Sequence, residues 1–197
     1  MLPHVAHVRK ALVIGDGDGR FLTTLALRNQ ALALDAIDLS LKMIEVAGQR
    51  LDLRHCPNRS RINLQHGDIR TAAPPGDCYD LIATHFFFDI FPTNELKCVI
   101  DRVAGWTARD ALWIVSEFDL PNSGWKRAKA QLWLRTMYAF FRLTTNLRNQ
   151  QLPCWRPLLR EAGFIKQKQV RFNDGFIVSE LWRRAPDEPD ASSAQAA

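Results

Sequence analysis

Alternating glycine and acidic residues near the start of the chain form a pattern that suits the binding of a small charged molecule. The stretch comprises Gly15, Asp16, Gly17, Asp18 and Gly19, directly after a short apolar run. Glycines allow a ligand to approach the backbone, because a Cβ atom would block it. The two carboxylates would repel a pyrophosphate, so the pattern favours a cationic or zwitterionic ligand over a dinucleotide.

Another acidic residue, Asp38, stands about twenty residues beyond the glycine stretch, near the end of a second apolar run at residues 31–39. In a βαβ nucleotide site, an acidic side chain at this place accepts hydrogen bonds from ribose hydroxyls. The alternative is an ordinary turn in which Asp38 precedes a helix cap at Ser40. We favour the ribose role, because the strand, the loop and their separation agree.

His85 and Asp89 follow a later apolar run and are candidates for proton transfer with a substrate. The pKa of free histidine lies near neutrality, so His85 can serve as a general base for a hydroxyl or thiol nucleophile, with Asp89 as the second choice. The alternative for His85 is a packed structural role, since phenylalanines occupy residues 86–88. Those aromatic side chains either wall an apolar substrate pocket or fill the core.

Alternating strands and helices would bring these residues together. Short apolar runs rich in β-branched residues predict strands, and apolar residues three or four apart predict helices. The predicted strands are residues 11–14, 31–39, 62–64, 79–84, 112–118, 165–172 and 176–183; the predicted helices are residues 20–29, 40–53, 94–107, 125–147 and 153–164. This order predicts an α/β fold whose parallel strands end at one common edge, where ligands bind.

Four segments resemble class I S-adenosylmethionine-dependent methyltransferases of the small-molecule type. They are the glycine stretch, D-x-S-x-x-M at residues 38–43, G-D-I at residues 67–69, and L-L-R-E-A-G-F at residues 158–164 before a hairpin. The resemblance covers residues 11–183 and implies S-adenosyl-L-methionine as the cofactor. It also implies a Rossmann-like doubly wound α/β sheet of seven strands in the order 3-2-1-4-5-7-6, with a C-terminal antiparallel hairpin and helices on both faces.

The resemblance also implies roles for individual side chains. Leu39 and Met43 would pack against adenine, although either could equally be core. Asp68 would accept a hydrogen bond from the exocyclic amine of adenine, and Ile69 would contact the ring edge; a surface turn is the alternative. The complete predicted cofactor site is Gly15, Asp16, Gly17, Gly19, Asp38, Leu39, Met43, Asp68 and Ile69.

Val13 departs from the family pattern, which often has Asp or Glu two residues before the first glycine. That acidic residue helps to hold the methionine end of the cofactor, so Asp16 or a backbone contact would have to substitute. Two alternatives therefore stay open: a non-catalytic S-adenosylmethionine-binding protein, and an aminopropyltransferase-like enzyme that uses decarboxylated S-adenosylmethionine. Against the second, only Asp89 stands where such enzymes carry an acidic pair for a polyamine.

The composition limits the classes of function. The chain has 197 residues, of which 47% are hydrophobic and 24% charged, and its net charge of +5 permits an anionic partner without requiring one. The four cysteines lack metal-ligand spacing, so we expect no metal site and predict that they are small buried side chains. Without a membrane-spanning run or a signal peptide, a cytoplasmic protein is expected.

A segment at residues 125–147 combines aromatic residues with arginines and contains no acidic residue. We expect one methyltransferase domain over residues 1–184 with a helical lid inserted at about 121–150, and a disordered tail over residues 185–197. The basic aromatic segment is also typical of a helix that contacts a membrane surface, so peripheral membrane contact is the second interpretation. We expect a small-molecule acceptor, apolar or lipid-like, and no nucleic acid. The resembled enzymes usually carry a longer N-terminal cap, so the true start could lie upstream.

Overall fold

The computed structural model describes residues 1–5, 7–120, 124 and 152–186. The strands of its sheet are β1 (Lys10–Ile14), β2 (Ala33–Asp38), β3 (Ile62–His66), β4 (Tyr79–His85), β5 (Thr107–Phe118), β6 (Phe164–Phe172) and β7 (Ile177–Arg184). The helices with described bounds are α1 (Arg20–Arg28), α2 (Leu41–Leu53), α3 (Thr93–Ala104) and α4 (Trp155–Glu161).

The strand order is 3-2-1-4-5-7-6, which confirms the predicted topology. The pairings among β1 to β5 are all parallel, whereas β7 runs antiparallel to both β5 and β6. Parallel strands place their carboxyl ends at one edge, and the order reverses between β1 and β4. The fold therefore creates a crevice where the two halves of the sheet diverge.

Helices cover both faces of the sheet, as predicted. Successive residues of a strand point to opposite faces, and the central strand carries apolar residues on each face for helices to cover. In β1, Leu12 and Ile14 pack in a core with α3 and α4, whereas Ala11 and Val13 pack with α1 and α2. All four of these β1 side chains are at most 1% exposed. A strand buried on both faces has a continuous apolar sequence, which explains why β1 was predictable.

The largest error in element bounds concerns the join between α3 and β5. The helix ends at Ala104 and the strand begins at Thr107, whereas the sequence predicted a helix to residue 107 and a strand from residue 112. The first part of β5 is polar and partly exposed, Asp110 has a φ of 61°, and the pairing with β4 shifts register there. An irregular, exposed strand lacks the apolar alternation by which strands are recognised.

The prediction that the cysteines are buried is right for Cys56 and wrong for Cys78, Cys98 and Cys154, which are exposed. Cys98 lies on the solvent side of α3, and the other two precede β4 and α4. Free cysteine behaves as a small hydrophobic residue and is usually buried, so residue type alone predicted burial where the fold places three of the four at the surface.

Several predictions concern parts of the chain that the structure does not describe. The lid at about 121–150, except Gly124, the membrane-contact segment at 125–147 and the tail beyond residue 186 lie outside the described residues. Within the described ranges, no helix is long and apolar enough to cross a membrane. Over the same ranges, no group of three or more His, Cys, Asp or Glu side chains could hold a metal ion.

Candidate cofactor site

The glycine stretch forms the turn between β1 and α1. Gly15, Gly17 and Gly19 have φ values of 66°, 62° and 75°, a left-handed conformation that favours glycine. A Cβ atom on Gly15 would lie 2.7 Å from the ring of Phe87, whereas no atom would lie within 4 Å of a Cβ on Gly17. The backbone at Gly17 is therefore open to a ligand.

The two carboxylates of this turn have different surroundings. Asp16 accepts a hydrogen bond from the Leu22 N–H at 2.9 Å, which caps the start of α1, and burial raises its pKa to about 6. Asp18 lies 2.8 Å from Arg20 and 2.7 Å from Arg50 of α2. The hydrogen bond from Arg20, with the charges of both arginines, lowers the pKa of Asp18. Asp18 therefore anchors the turn to α2, while Asp16 stabilises the helix start.

Asp38 ends β2 opposite the glycine turn. Its Oδ2 accepts a hydrogen bond from the Gly17 N–H at 3.2 Å, and its Oδ1 accepts one from the Ser40 N–H at 2.8 Å. Ser40 caps α2, because its Oγ accepts from the Met43 N–H at 3.3 Å. Ser40 therefore caps α2, as the alternative interpretation expected, and the Asp38 carboxylate at the same time contacts the glycine turn. A carboxylate offers about four lone-pair sites, so Asp38 retains acceptor capacity for a ligand.

A cavity of about 590 Å³ opens at the carboxyl edge of the sheet. Its lining includes the predicted cofactor residues Gly15, Asp38, Leu39, Asp68 and Ile69. Leu39 is 62% exposed, so an apolar side chain stands at the mouth. The other predicted cofactor residues shape the turn and the helix starts around it: Asp16, Gly17, Gly19 and Met43. The volume is within the range of natural small-molecule sites.

Asp68 is held in place by an arginine of the same cavity. Nη2 of Arg70 donates to Oδ2 of Asp68 at 2.6 Å, and Nε lies 3.0 Å from each carboxylate oxygen. These hydrogen bonds lower the pKa of Asp68. Arg70 also lies 3.5 Å from Glu95 of α3, and these two residues line a second cavity of about 410 Å³. The cavity is therefore lined by an oriented Asp68 carboxylate.

The three phenylalanines after β4 have three different environments. Phe86 is 41% exposed, Phe87 lines the cavity, and Phe88 is fully buried against Trp113 in the core. The core interpretation is therefore correct for Phe88, whereas Phe87 lines the candidate cofactor cavity and a substrate pocket walled by these rings stays a prediction. Further lining residues that no motif marked follow this turn: Ile90, Phe91, Pro92 and Glu95.

The two predicted catalytic residues have different neighbours. The ring of His85 lies 4.3 Å from that of Phe21 on α1, and burial lowers its pKa to about 4. Among the described residues, Nε2 of His85 has no hydrogen-bond partner. His85 is therefore uncharged at neutral pH and can accept a proton, although so low a pKa makes it a weak base. Asp89 is 7% exposed in the turn after Phe88, and its charge acts on Glu117 of β5.

Sequence reasoning missed Glu117. This side chain is 1% exposed and accepts hydrogen bonds from the N–H groups of Phe87 and Phe88 at 2.9 and 2.7 Å. Burial raises its pKa to about 8, and the Asp89 carboxylate adds to that effect. An acidic residue inside the apolar run at 112–118 was the available signal, because glutamate is almost never fully buried without partners.

Comparisons with known proteins identify the family and the fold of this chain. A family model described as a methyltransferase domain matches residues 11–110, which is just over half of the chain. No curated protein matches the chain significantly. Many solved structures share its fold, and three of them are described next.

The mitomycin 7-O-methyltransferase MmcR is 16% identical with a TM-score of 0.71; the match covers 92% of this chain and 50% of MmcR. The N-methyltransferase NodS from Bradyrhizobium japonicum, solved with S-adenosyl-L-homocysteine, is 16% identical with a TM-score of 0.64. This match covers 95% of this chain and 84% of NodS. The magnesium protoporphyrin IX methyltransferase ChlM from Synechocystis, solved with bound S-adenosyl-L-homocysteine, is 20% identical with a TM-score of 0.65. This match covers 89% of this chain and 74% of ChlM. The chain thus spans half the length of MmcR, and likeness at these identities shows the fold alone.

Proposed function

This chain belongs to the methyltransferase-domain family, and from that premise we propose that it is an S-adenosylmethionine-dependent methyltransferase that acts on a small molecule. The observation that carries the proposal is one cavity that gathers Gly15, Asp38 and Asp68. These residues come from three separate stretches of sequence. They meet beside the switch point of the sheet, where open α/β folds bind ligands.

The residues around the cavity suit the parts of S-adenosylmethionine. The Asp38 carboxylate can accept from ribose hydroxyls, and the open space at Gly17 admits a ligand to the backbone. Leu39 offers an exposed apolar surface to a purine ring, and Asp68, oriented by Arg70, offers an acceptor for its amine. Carboxylates around a glycine turn favour a sulfonium cation over a pyrophosphate.

Bound S-adenosylmethionine supplies an activated methyl group on its sulfonium sulfur. The protein's part is to align an acceptor with that group and to exclude water. His85 and Asp89 are the residues that we propose for taking up a proton from the acceptor. The uncharged ring of His85 and its Nε2, which lacks a partner among the described residues, support the first assignment.

We further propose that the acceptor is an apolar or lipid-like small molecule. Phe86 is 41% exposed and Ile90 37% exposed, and the ring of Phe86 lies 4.6 Å from that of Phe118. Apolar side chains at a ligand edge favour apolar ligands. The likeness to a mitomycin 7-O-methyltransferase supports a small-molecule acceptor. Peripheral membrane contact through residues 125–147 and a cytoplasmic location remain predictions.

A non-catalytic S-adenosylmethionine-binding protein is the second candidate. Val13 is fully buried in the core where the family often has an acidic residue, and Asp16 is engaged in capping α1. The other alternative, an aminopropyltransferase-like enzyme, has weaker support from the acidic residues near the site. Glu117 lies near Asp89, but it is buried and bonded to backbone amides, so it does not complete an open acidic pair for a polyamine.

Isothermal titration with S-adenosylmethionine and S-adenosylhomocysteine tests the proposal. We expect the wild-type protein to bind both, and Asp38→Ala to weaken binding about tenfold or more, because acceptors for ribose hydroxyls are lost. Asp52→Ala is the matched control, since Asp52 is an exposed acidic residue paired with Arg59. This control should bind like the wild type.

Three other results would redirect the proposal. Tighter binding of the decarboxylated cofactor would favour aminopropyl transfer. Binding of S-adenosylmethionine, without methylation of any acceptor in a broad extract screen, would favour the non-catalytic candidate. A wild-type protein that binds neither cofactor form would refute S-adenosylmethionine dependence.

A further inference from the structure

Glu117 is a buried carboxylate that the proposed chemistry does not use. It is the next-to-last residue of β5 and is 1% exposed. Burying a carboxyl group is costly unless hydrogen bonds compensate for the lost water. Here Oε1 accepts from two consecutive backbone N–H groups, those of Phe87 and Phe88, at 2.9 and 2.7 Å. The position of Glu117 is therefore tied to the turn that follows β4.

This carboxylate continues the strand pairing beyond the point where the backbone leaves the sheet. The last strand-like bond between β4 and β5 runs from the Phe86 N–H to the Ser116 carbonyl at 2.7 Å. Phe86 then adopts a left-handed φ of 50°, and the two residues that follow it are buried. The next two N–H groups are buried and need an acceptor, and the side chain of Glu117 provides it.

The turn held in this way forms one wall of the cofactor cavity. The Phe87 ring packs so closely on the glycine turn that a Cβ atom on Gly15 would lie 2.7 Å from it. The same ring lies 5.1 Å from that of Phe91, and Phe87, Phe91 and Gly15 all line the cavity. A shift of the Phe87 backbone would therefore move the wall that a bound cofactor touches.

We propose that Glu117 is a positioning residue for the cofactor cavity, whose carboxylate holds the turn after β4 and thereby keeps Phe87 against the glycine turn. That the cavity holds S-adenosylmethionine rests on the proposed function, whereas the contact between Glu117 and the turn is independent of it. The role requires an acceptor oxygen at this position and not a negative charge. The substitution Glu117→Gln would keep an acceptor, because an amide carbonyl replaces the carboxylate, whereas Glu117→Met would fill the volume without one.

The test compares Glu117→Gln and Glu117→Met with a matched control, Glu180→Met. Glu180 is also fully buried, on the adjacent strand β7, but it binds Arg156 and the indole N–H of Trp182 instead of the turn. Two measurements are made on each variant: the affinity for S-adenosylhomocysteine, and hydrogen exchange of the Phe87 and Phe88 amides. A loss of stability alone would affect both methionine variants alike.

We expect Glu117→Met to weaken S-adenosylhomocysteine binding about tenfold and to speed exchange of the two amides, because their acceptor is lost. Glu117→Gln should resemble the wild type in both measurements. Glu180→Met should lower the melting temperature but leave the affinity for S-adenosylhomocysteine and the exchange of the Phe87 and Phe88 amides unchanged. If Glu117→Met does not fold, Glu117→Ala takes its place.

Three results would overturn the inference: normal binding in Glu117→Met, equal losses in the glutamine and methionine variants, or an equal loss in Glu180→Met. If the wild type binds neither S-adenosylmethionine nor S-adenosylhomocysteine, the proposed function fails and the exchange measurement decides about Glu117. Unchanged protection of the Phe87 and Phe88 amides in Glu117→Met would then refute the positioning role, and faster exchange would support it.

Discussion

Individual side chains at the carboxyl edge are tuned by their immediate neighbours. Asp68 is ionised and oriented by Arg70, whereas burial raises the pKa of Asp16 to about 6 and lowers that of His85 to about 4. The same edge therefore offers an oriented anion, a buried carboxyl group with a raised pKa and an uncharged imidazole. Perturbed titration of this kind is common at functional sites, although Asp16 also has a structural role: it accepts from the Leu22 N–H, a hydrogen bond that lowers its pKa while burial raises it.

Substitution of His85 separates a proton acceptor from a packed structural residue. If His85 takes up a proton, His85→Ala should lower methyl transfer about 100-fold or more while leaving S-adenosylhomocysteine affinity nearly unchanged. Because burial lowers the pKa of His85 to about 4, wild-type turnover should show no loss from protonation of His85 near pH 6.5. The measurement is the rate of S-adenosylhomocysteine release with an active extract fraction. His7→Ala, at an exposed position, is the control, and unchanged turnover in His85→Ala would assign His85 to structure.

Between elements, the glycine turn depends on its contacts with α2. Arg50 of α2 donates to both the carbonyl and the carboxylate of Asp18 at 2.7 Å. Gly19 packs directly on α2, since a Cβ atom there would lie 2.7 Å from the Cβ of Ala47. The turn and the helix therefore form one unit, and the carboxylate at the end of β2 lies between them.

Alanine substitutions at two glycines of this turn distinguish backbone strain from packing. Gly17→Ala adds only the strain of a left-handed residue, about 1–2 kcal/mol, because its surroundings are open. Gly19→Ala should cost about 1–3 kcal/mol more, because the added methyl group collides with Ala47. Urea unfolding without cofactor measures both values. Equal losses in the two variants would show that α2 moves away at little cost.

For the molecule as a whole, buried titratable groups couple stability to pH in opposite directions. The pKa of Glu117 is raised from 4.5 to about 8, so the folded protein binds more protons than the unfolded chain within that range. Its contribution to stability is present below about 4.5 and is lost as the pH rises through 8. His85 acts in the opposite sense, since its pKa is lowered from 6.5 to about 4 and its contribution is lost as the pH falls through that range.

Comparison of wild type with Glu117→Gln isolates the first of these effects. Between pH 4.5 and 8 we expect the wild type to lose stability relative to the glutamine variant, because Glu117 ionises in the unfolded chain while the folded protein keeps it protonated. The difference should reach about 1 kcal/mol or more. Melting temperatures at closely spaced pH values measure it, and Asp52→Asn controls for an exposed acidic residue. Parallel curves for wild type and Glu117→Gln would show that Glu117 does not titrate in this window.

The sequence alone was sufficient for most of the architecture and for five of the residues that line the candidate cavity. The buried strand β1, the glycine turn and Asp38 were recognisable because each combines a local pattern with a standard separation along the chain. The resemblance then supplied the strand order, which the sheet confirms. Local patterns were weakest where exposure was irregular, as at the start of β5, whose polar residues carry no strand periodicity.

Only the tertiary structure decided how side chains distant in sequence meet. It paired Glu117 with the amides of Phe87 and Phe88 and separated the three phenylalanines after β4 into surface, cavity wall and core. These outcomes depend on the register between β4 and β5 and on the single residue at which the chain leaves the sheet. The strand periodicity used in sequence analysis records which residues are apolar, but it contains neither the pairing of strands nor the direction of a turn. Contacts of this kind are therefore properties of the assembled sheet.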